Sequence, residues 1–239
     1  MIGIICALDI EAEGLKHQMD NPSIYNIAQI TYSKGHINGG ETVVAECGVG
    51  KVNASMCTQI MIDQFRPEWI INSGIAGALA DNLTIGSMVI ASDVVQHDMD
   101  TSALGDPLGT IWFNNDKQIY IAADTAIAAA LKVACAMLEN TEIFTGRIAT
   151  GDSFIDDRLK RKKLYQRFNA LACDMEGGAI GQVCYRNRIP FGILRSISDS
   201  MNENEASDYF KFKETAAQKS IDVITYLLST SLARFVNDQ

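Results

Sequence analysis

Three carboxylates, Glu11, Glu176 and Asp199, each follow a short apolar run of the kind that forms a buried strand: IGIICAL, ACDM and FGILRSIS. Cleaving a glycosidic bond passes through an oxocarbenium-like state. Breaking its C–N version calls for an acid on the leaving base, a carboxylate to orient water and a group gripping the sugar hydroxyls. Three carboxylates converging from different strands divide that work. Like charges in one site raise at least one pKa, which predicts an aspartate kept protonated near neutral pH. Taken singly, each also suits a solvent-facing helix start, where acidic residues favour the dipole. The set, not any one member, points to chemistry.

Other strand ends carry polar or glycine residues as well. EWIIN leads to Ser73, Gly74, Ala76 and Gly77; SMVIASDVV leads to His97, Asp98 and Asp100; EIFTGRIA leads to Thr150, Gly151, Asp152, Ser153 and Phe154. Ligand sites of open α/β sheets gather beyond the carboxyl ends of strands. GVGKVN at 48–53 lacks the third glycine of a dinucleotide loop and the GK[ST] of a phosphate loop, so it reads as a tight turn bringing backbone close to a ligand. His97-Asp98-x-Asp100 has no second motif at metal-ligand spacing and reads as a hydrogen-bonded loop. RLKRKK at 158–163 reads as a solvated helix face. NENEASDYF at 202–210 reads as a mobile loop, with Tyr209 and Phe210 able to close over a planar base.

The elements that must position these residues alternate between short apolar runs and helical patterns, the α/β signature. Strands are expected at 2–8, twice within 24–37, in ETVVAEC after an Asn38-Gly39-Gly40 hairpin turn, and in EWIINSG before Gly-Ala-Gly punctuation. More follow at 87–96, 142–151, ACDM and PFGILRSIS. Helices are expected at 10–19, at 50–65 with Val52, Met56, Ile60 and Ile62 among its apolar positions, and at 123–138, 156–168, 177–187 and 207–234. On the strand 191–199, Arg195, Ile197 and Asp199 share a face by the period of two. No linker or repeat interrupts this order, so one α/β domain spanning 1–239 on a central mixed sheet is expected.

The whole chain limits the partners. Its 239 residues carry 29 Asp+Glu against 20 Lys+Arg, a formal charge of −9. That balance disfavours nucleic acid and anionic membrane surfaces, leaving a small molecule. The longest stretch without a charged residue, Asn21–Ser33, has 13 residues, too short for a transmembrane helix. Six cysteines show no metal-type spacing, and those in strand-like runs read as core residues. A reducing, cytoplasmic setting is expected.

Read in order, IGIICALDIEAE, GVGKVNA, IINSGIAGAL, VVQHDMD, ATGDSFI, CDMEGGAIGQVC and LRSISDS resemble the 5′-methylthioadenosine/S-adenosylhomocysteine nucleosidase family of the nucleoside phosphorylase superfamily, over nearly the whole chain. The resemblance implies a three-layer α/β/α fold with a partly barrel-like sheet, and hydrolysis of an adenine nucleoside by water. It gives Asp199 the role of proton donor to N7 of the base and Glu11 that of activating the water, with Arg195 and Ser73 as that water's partners. Glu176 then holds the ribose hydroxyls, with Met175 packed on the sugar. Phe154 stacks on adenine, the Ile155 backbone pairs with its edge, and Ser198 lies beside the base. Ile75, Ala76 and Gly77 border the sugar and base, Val49 and Leu8 fall at the 5′ subsite, and Tyr209 is a lid aromatic. No cofactor or metal is implied. A homodimer is, with the partner completing the 5′ subsite.

The chain departs from the family pattern at Ile75 (GIAGA for GSAGG), Leu8, Asp174 and the 101–113 loop with Trp112, all but Asp174 bearing on the sugar or 5′ side. Within the same fold, a phosphorylase would place a phosphate dianion against Asp9, Glu11 and Glu13 without the cations it needs, so water is favoured. An aminofutalosine-type nucleosidase is a further alternative. A non-enzymatic nucleoside-binding module predicts loss of one of the three carboxylates, and all three are present.

Overall fold

Strand β1 (Ile2–Cys6) is buried at every position, as expected of a strand covered on both faces. Its side chains alternate: Ile2, Ile4 and Cys6 join one apolar cluster and Ile5 another. A computed structural model of the chain describes residues 1–200 and 205–230. Within them, β1 is followed by α1 (Asp9–Lys16), β2 (Asp20–Ile27), β3 (Ile30–Ile37), β4 (Gly40–Glu46), α2 (Lys51–Phe65), β5 (Trp69–Ala78) and β6 (Met88–Gln96). Short strands β7 (Ile111–Trp112), β8 (Lys117–Gln118) and β9 (Ile121–Ala122) precede α3 (Thr125–Cys135), β10 (Ile143–Thr150), α4 (Arg158–Phe168), β11 (Ala170–Asp174), α5 (Gly177–Asn187), β12 (Phe191–Asp199) and α6 (Glu205–Ser229).

The main sheet runs β11-β10-β6-β12-β5-β1-β4-β3-β2, and β11 also pairs with β5. That last pairing, Ala172 opposite Ala78 and Cys173 opposite Gly77, closes five strands into a ring while β1–β4 extend as an open wing. The mixed sheet is therefore partly a barrel. Helices α1, α3 and α6 cover one side and share a core with Ile4, Ile71 and Leu194. Helices α2 and α5 pack together on the other, over Ile5, Ile70 and Ile193.

Several expectations change. The Gly-Ala-Gly segment is strand rather than punctuation, because β5 continues through Gly74–Ala78 to reach β11 and β12. Helix α2 buries Ala54, Cys57, Thr58 and Met61; of its apolar positions Ile60 and Ile62 pack against the core, while Val52 is 78% and Met56 39% exposed. Helix α6 begins at Glu205, so the described part of 202–210 is helix, not loop; residues 202–204 and 231–234 of the expected loop and helix lie outside the described residues. In β12, Ile197 faces Ala76 and Asp199 faces Gly77, two residues against one. This bulge breaks the alternation, and Asp199 leaves the face of Arg195. All six cysteines are buried and free. Among the described residues no helix is long and apolar enough to cross a membrane.

Candidate active site

Glu11 sits in the first turn of α1, directly after β1, and is 3% exposed. Its Oε2 accepts the backbone N–H groups of Ala7 and Leu8, each at 3.0 Å, and its Oε1 that of Ile75, also at 3.0 Å. A carboxylate offers about four acceptor positions, so three are filled and one is left for a water. Gly74 permits this approach: a Cβ there would lie 2.7 Å from Oε1. Burial raises the Glu11 pKa, opposed first by Arg195 and then by the backbone donors.

Glu176 directly precedes α5, makes no side-chain capping bond there and is 6% exposed, so it is no solvent-facing helix start. The GVGKVN turn reaches it: Gly48 and Gly50 have φ of +80° and +100°, and the Gly50 N–H donates to Glu176 Oε1 at 2.9 Å. Burial, and then the neighbouring Asp174, push its pKa up to about 7. At both glutamates desolvation, rather than like-charge repulsion, is the first cause of the rise.

Asp199 ends β12 and is 1% exposed. Ser198 Oγ donates to its Oδ1 at 2.6 Å, and Arg161 Nη2 donates to Oδ2. Arg161 lies in RLKRKK, the expected solvated face, yet is 1% exposed. It also donates to the carbonyls of Ile155 (2.9 Å), Ala78 (3.2 Å) and Ser200 (3.3 Å). Charge density hid it. The available signal was Arg161, Leu164 and Phe168 at i, i+3, i+7, the spacing of one helix face.

One open cleft, about 590 Å³ including the solvent at its mouth, joins these groups. Leu8, Glu11, Val49, Ile75, Ala76, Gly77, Phe154, Ile155, Met175, Glu176, Ser198, Asp199 and Tyr209 all line it, together with Arg161, Cys173 and Asp174. The rings of Phe154 and Tyr209 meet edge to face, centroids 5.3 Å apart, at its open side. Two expected residues are not on its wall. Ser73 is buried at 3% within β5. Arg195 is spent behind the wall: Nε and Nη2 donate to Asp174 Oδ2 at 3.0 and 2.7 Å, and Nη2 also to Asn72 Oδ1. Asp174 in turn accepts from Thr150 Oγ1 at 2.5 Å and from the Gly177 N–H. The end of β6 also stays outside: Asp98 takes Lys51 Nζ at 2.6 Å and the Asp152 N–H at 2.8 Å, tying the GVGKVN turn to the loop after β10.

The sequence profile of the phosphorylase superfamily matches residues 1–231. A 5′-methylthioadenosine/S-adenosylhomocysteine nucleosidase of Shewanella sediminis is 39% identical over 228 residues, 95% of this chain and 98% of that protein. The structure of such a nucleosidase from Neisseria meningitidis, in complex with methylthio-immucillin-A, superimposes with a TM-score of 0.90 at 30% identity, covering 95% and 98% of the two chains. Futalosine hydrolase of Helicobacter pylori gives a TM-score of 0.87 at 30% identity, covering 95% and 96%.

Proposed function

The chain belongs to the phosphorylase superfamily and, within it, to the 5′-methylthioadenosine/S-adenosylhomocysteine nucleosidase family, and on that premise we propose that it hydrolyses the N-glycosidic bond of 5′-methylthioadenosine and S-adenosylhomocysteine. The products are adenine and the matching 5-thioribose, and 5′-deoxyadenosine fits the same chemistry. The observation that carries this reading is the convergence of Glu11, Glu176 and Asp199, from three separate strand ends, on one cleft.

Asp199 donates a proton to N7, which turns adenine into a competent leaving group. Glu11 orients the water through its remaining acceptor position and takes its proton. Glu176 grips the ribose hydroxyls, with Met175 against the sugar. Phe154 stacks on the base, whose edge the Ile155 backbone meets and whose N7 side Ser198 borders. Tyr209 covers the cleft, and Leu8 and Val49 border the 5′ substituent. Arg195 acts through Asp174 and the α5 start rather than by touching water, and Ser73 by seating the strand under Gly74.

Water is favoured over phosphate by charge. Among the described residues Arg161 is the one cation on the cleft wall, and it is paired with Asp199. A phosphate dianion would meet the carboxylates of Glu11 and Glu176, while the nearest further cation, Arg195, is already committed to Asp174 behind the wall. We place the enzyme in methionine salvage, in the cytoplasm, as a homodimer. Val52 and Met56, exposed on α2 a few residues after Val49, supply apolar surface for a second copy. A futalosine-type substrate is the second reading, favoured by the likeness to futalosine hydrolase. The test is adenine release from 5′-methylthioadenosine, with and without phosphate, beside a nucleoside panel. Phosphate-independent release supports the reading; release that requires phosphate, or none from any nucleoside, overturns it.

A further inference from the structure

We infer that Arg161 is a positioning residue for the proton transfer, fixing Asp199 Oδ1 as the oxygen that carries the proton and holding it in register with the base edge. This rests on the hydrolytic reading above.

Arg161 is fully enclosed, and a guanidinium does not lose its proton in a protein. A buried cation is costly unless paired and hydrogen-bonded, so Arg161, held by three carbonyls while Asp199 is neutral, favours the carboxylate that proton donation leaves behind. All four of its acceptors belong to the base side of the cleft: Asp199 Oδ2 and the carbonyls of Ile155, Ala78 and Ser200. These come from the ends of β5 and β12 and the loop after β10, three segments with no covalent reason to hold one geometry. One rigid planar fork joins them. The group proposed to protonate N7 and the peptide proposed to meet the base edge are therefore fixed by the same side chain.

The two oxygens of Asp199 have different neighbours. Oδ2 faces an N–H that is always present, so it stays an acceptor. Oδ1 faces the Ser198 hydroxyl, which rotates freely and has a second acceptor, Ala76 O, at 3.4 Å. When Ser198 turns to Ala76, Oδ1 is the oxygen free to bear a proton. In the reaction that proton passes from Oδ1 to N7, and the C1′–N9 bond breaks with its electron pair going to the base. The water oxygen bonds to C1′ and its proton goes to Glu11. Asp199 is left as a carboxylate whose charge Arg161 compensates. Proton exchange with solvent resets both groups.

The experiment compares wild type, Arg161→Met, Arg161→Lys, Asp199→Asn and the double variant Arg161→Met/Asp199→Asn in steady-state adenine release. Misplacing a reacting group by about 1 Å costs on the order of 10²-fold, so Arg161→Met is expected to lose about that factor in kcat with a smaller change in KM. Arg161→Lys keeps the cation but not the fork, and is expected to fall between, at about tenfold below wild type. In the Asp199→Asn background, Arg161→Met is expected to add little, because the two act as a unit. If Arg161→Met does not fold, the lysine variant decides alone. A kcat for either variant within about twofold of wild type overturns the inference, as does an equal loss from Arg161→Met in both backgrounds. An inactive wild type instead overturns the nucleosidase reading, and this inference with it.

Discussion

Glu176 meets two opposed demands. Gripping ribose hydroxyls calls for a carboxylate, while burial favours the neutral acid and lifts its pKa to about 7. The folded chain therefore binds a proton that the unfolded chain releases. Its stabilising effect is complete below the ordinary carboxylate range and is lost as pH rises through about 7. Glu176→Gln, which mimics the neutral acid, is expected to melt above wild type at about pH 8, with the gap closing near pH 5. Thermal melts across that range check the sign; a gap that widens on acidification contradicts it. Activity runs the other way: kcat/KM of the wild type should rise through about pH 7 as Glu176 ionises, while Glu176→Gln binds nucleoside poorly throughout. For Asp199→Asn the expected loss is about 10²–10⁴-fold in kcat, the usual contribution of a general acid, with affinity for the nucleoside largely kept. Near-normal turnover of 5′-methylthioadenosine by that variant would remove Asp199 from its role.

At the scale of elements, the site depends on how strands end and helices begin. Gly74 lies on β5 where a Cβ would press within 2.7 Å of Glu11 Oε1. Glu11 is held by three backbone donors and cannot yield without losing them. Gly74→Ala should therefore lower both kcat and melting temperature, since a displaced Glu11 leaves buried N–H groups unpaired; an unchanged value of either would contradict this. Helix α4 starts with Asp157, whose side chain accepts the N–H groups of Leu159 and Lys160 at 2.7 and 3.0 Å. Removing such a cap costs about 1 kcal/mol. Because Arg161 sits one turn further on, Asp157→Ala should lower kcat as well as stability, which melting and turnover measured on the same sample would separate from a purely local effect. The bulge in β12 belongs to this scale too. It aims Asp199 at the cleft while Arg195, four residues earlier, points to Asp174. A strict period-two reading could not foresee it, since a bulge answers to the neighbouring strand and leaves no mark in the strand's own sequence.

For the molecule as a whole, closing β5 onto β11 decides where the site lies. Strands β6, β10 and β11 run opposite to β5 and β12, yet the bent end of β5 brings the ends of β10, β11 and β12 to one cleft. The exposed apolar face of α2 lies beside that cleft through Val49. Sedimentation of the wild type is expected to give about twice the 26.1 kDa of one chain, and Val52→Glu a shift toward the monomer; a monomeric wild type would refute the dimer. By itself, the sequence determined the alternation of strands and helices and the acidic character of the chain, because apolar period and turn glycines are local properties; nearly every residue of the cleft came from the order of its short motifs and their resemblance to a known family. Only the tertiary structure decided that β5 runs on to close a barrel, that α2 shows solvent Val52 and Met56 while burying Met61, that Arg195 stands behind the wall and that Arg161 stands in it. Those outcomes depend on which distant segment supplies the acceptor, the covering helix or the opposing strand. A buried arginine and a solvated one have the same letter, and what separates them here is four oxygens from segments up to 83 residues away.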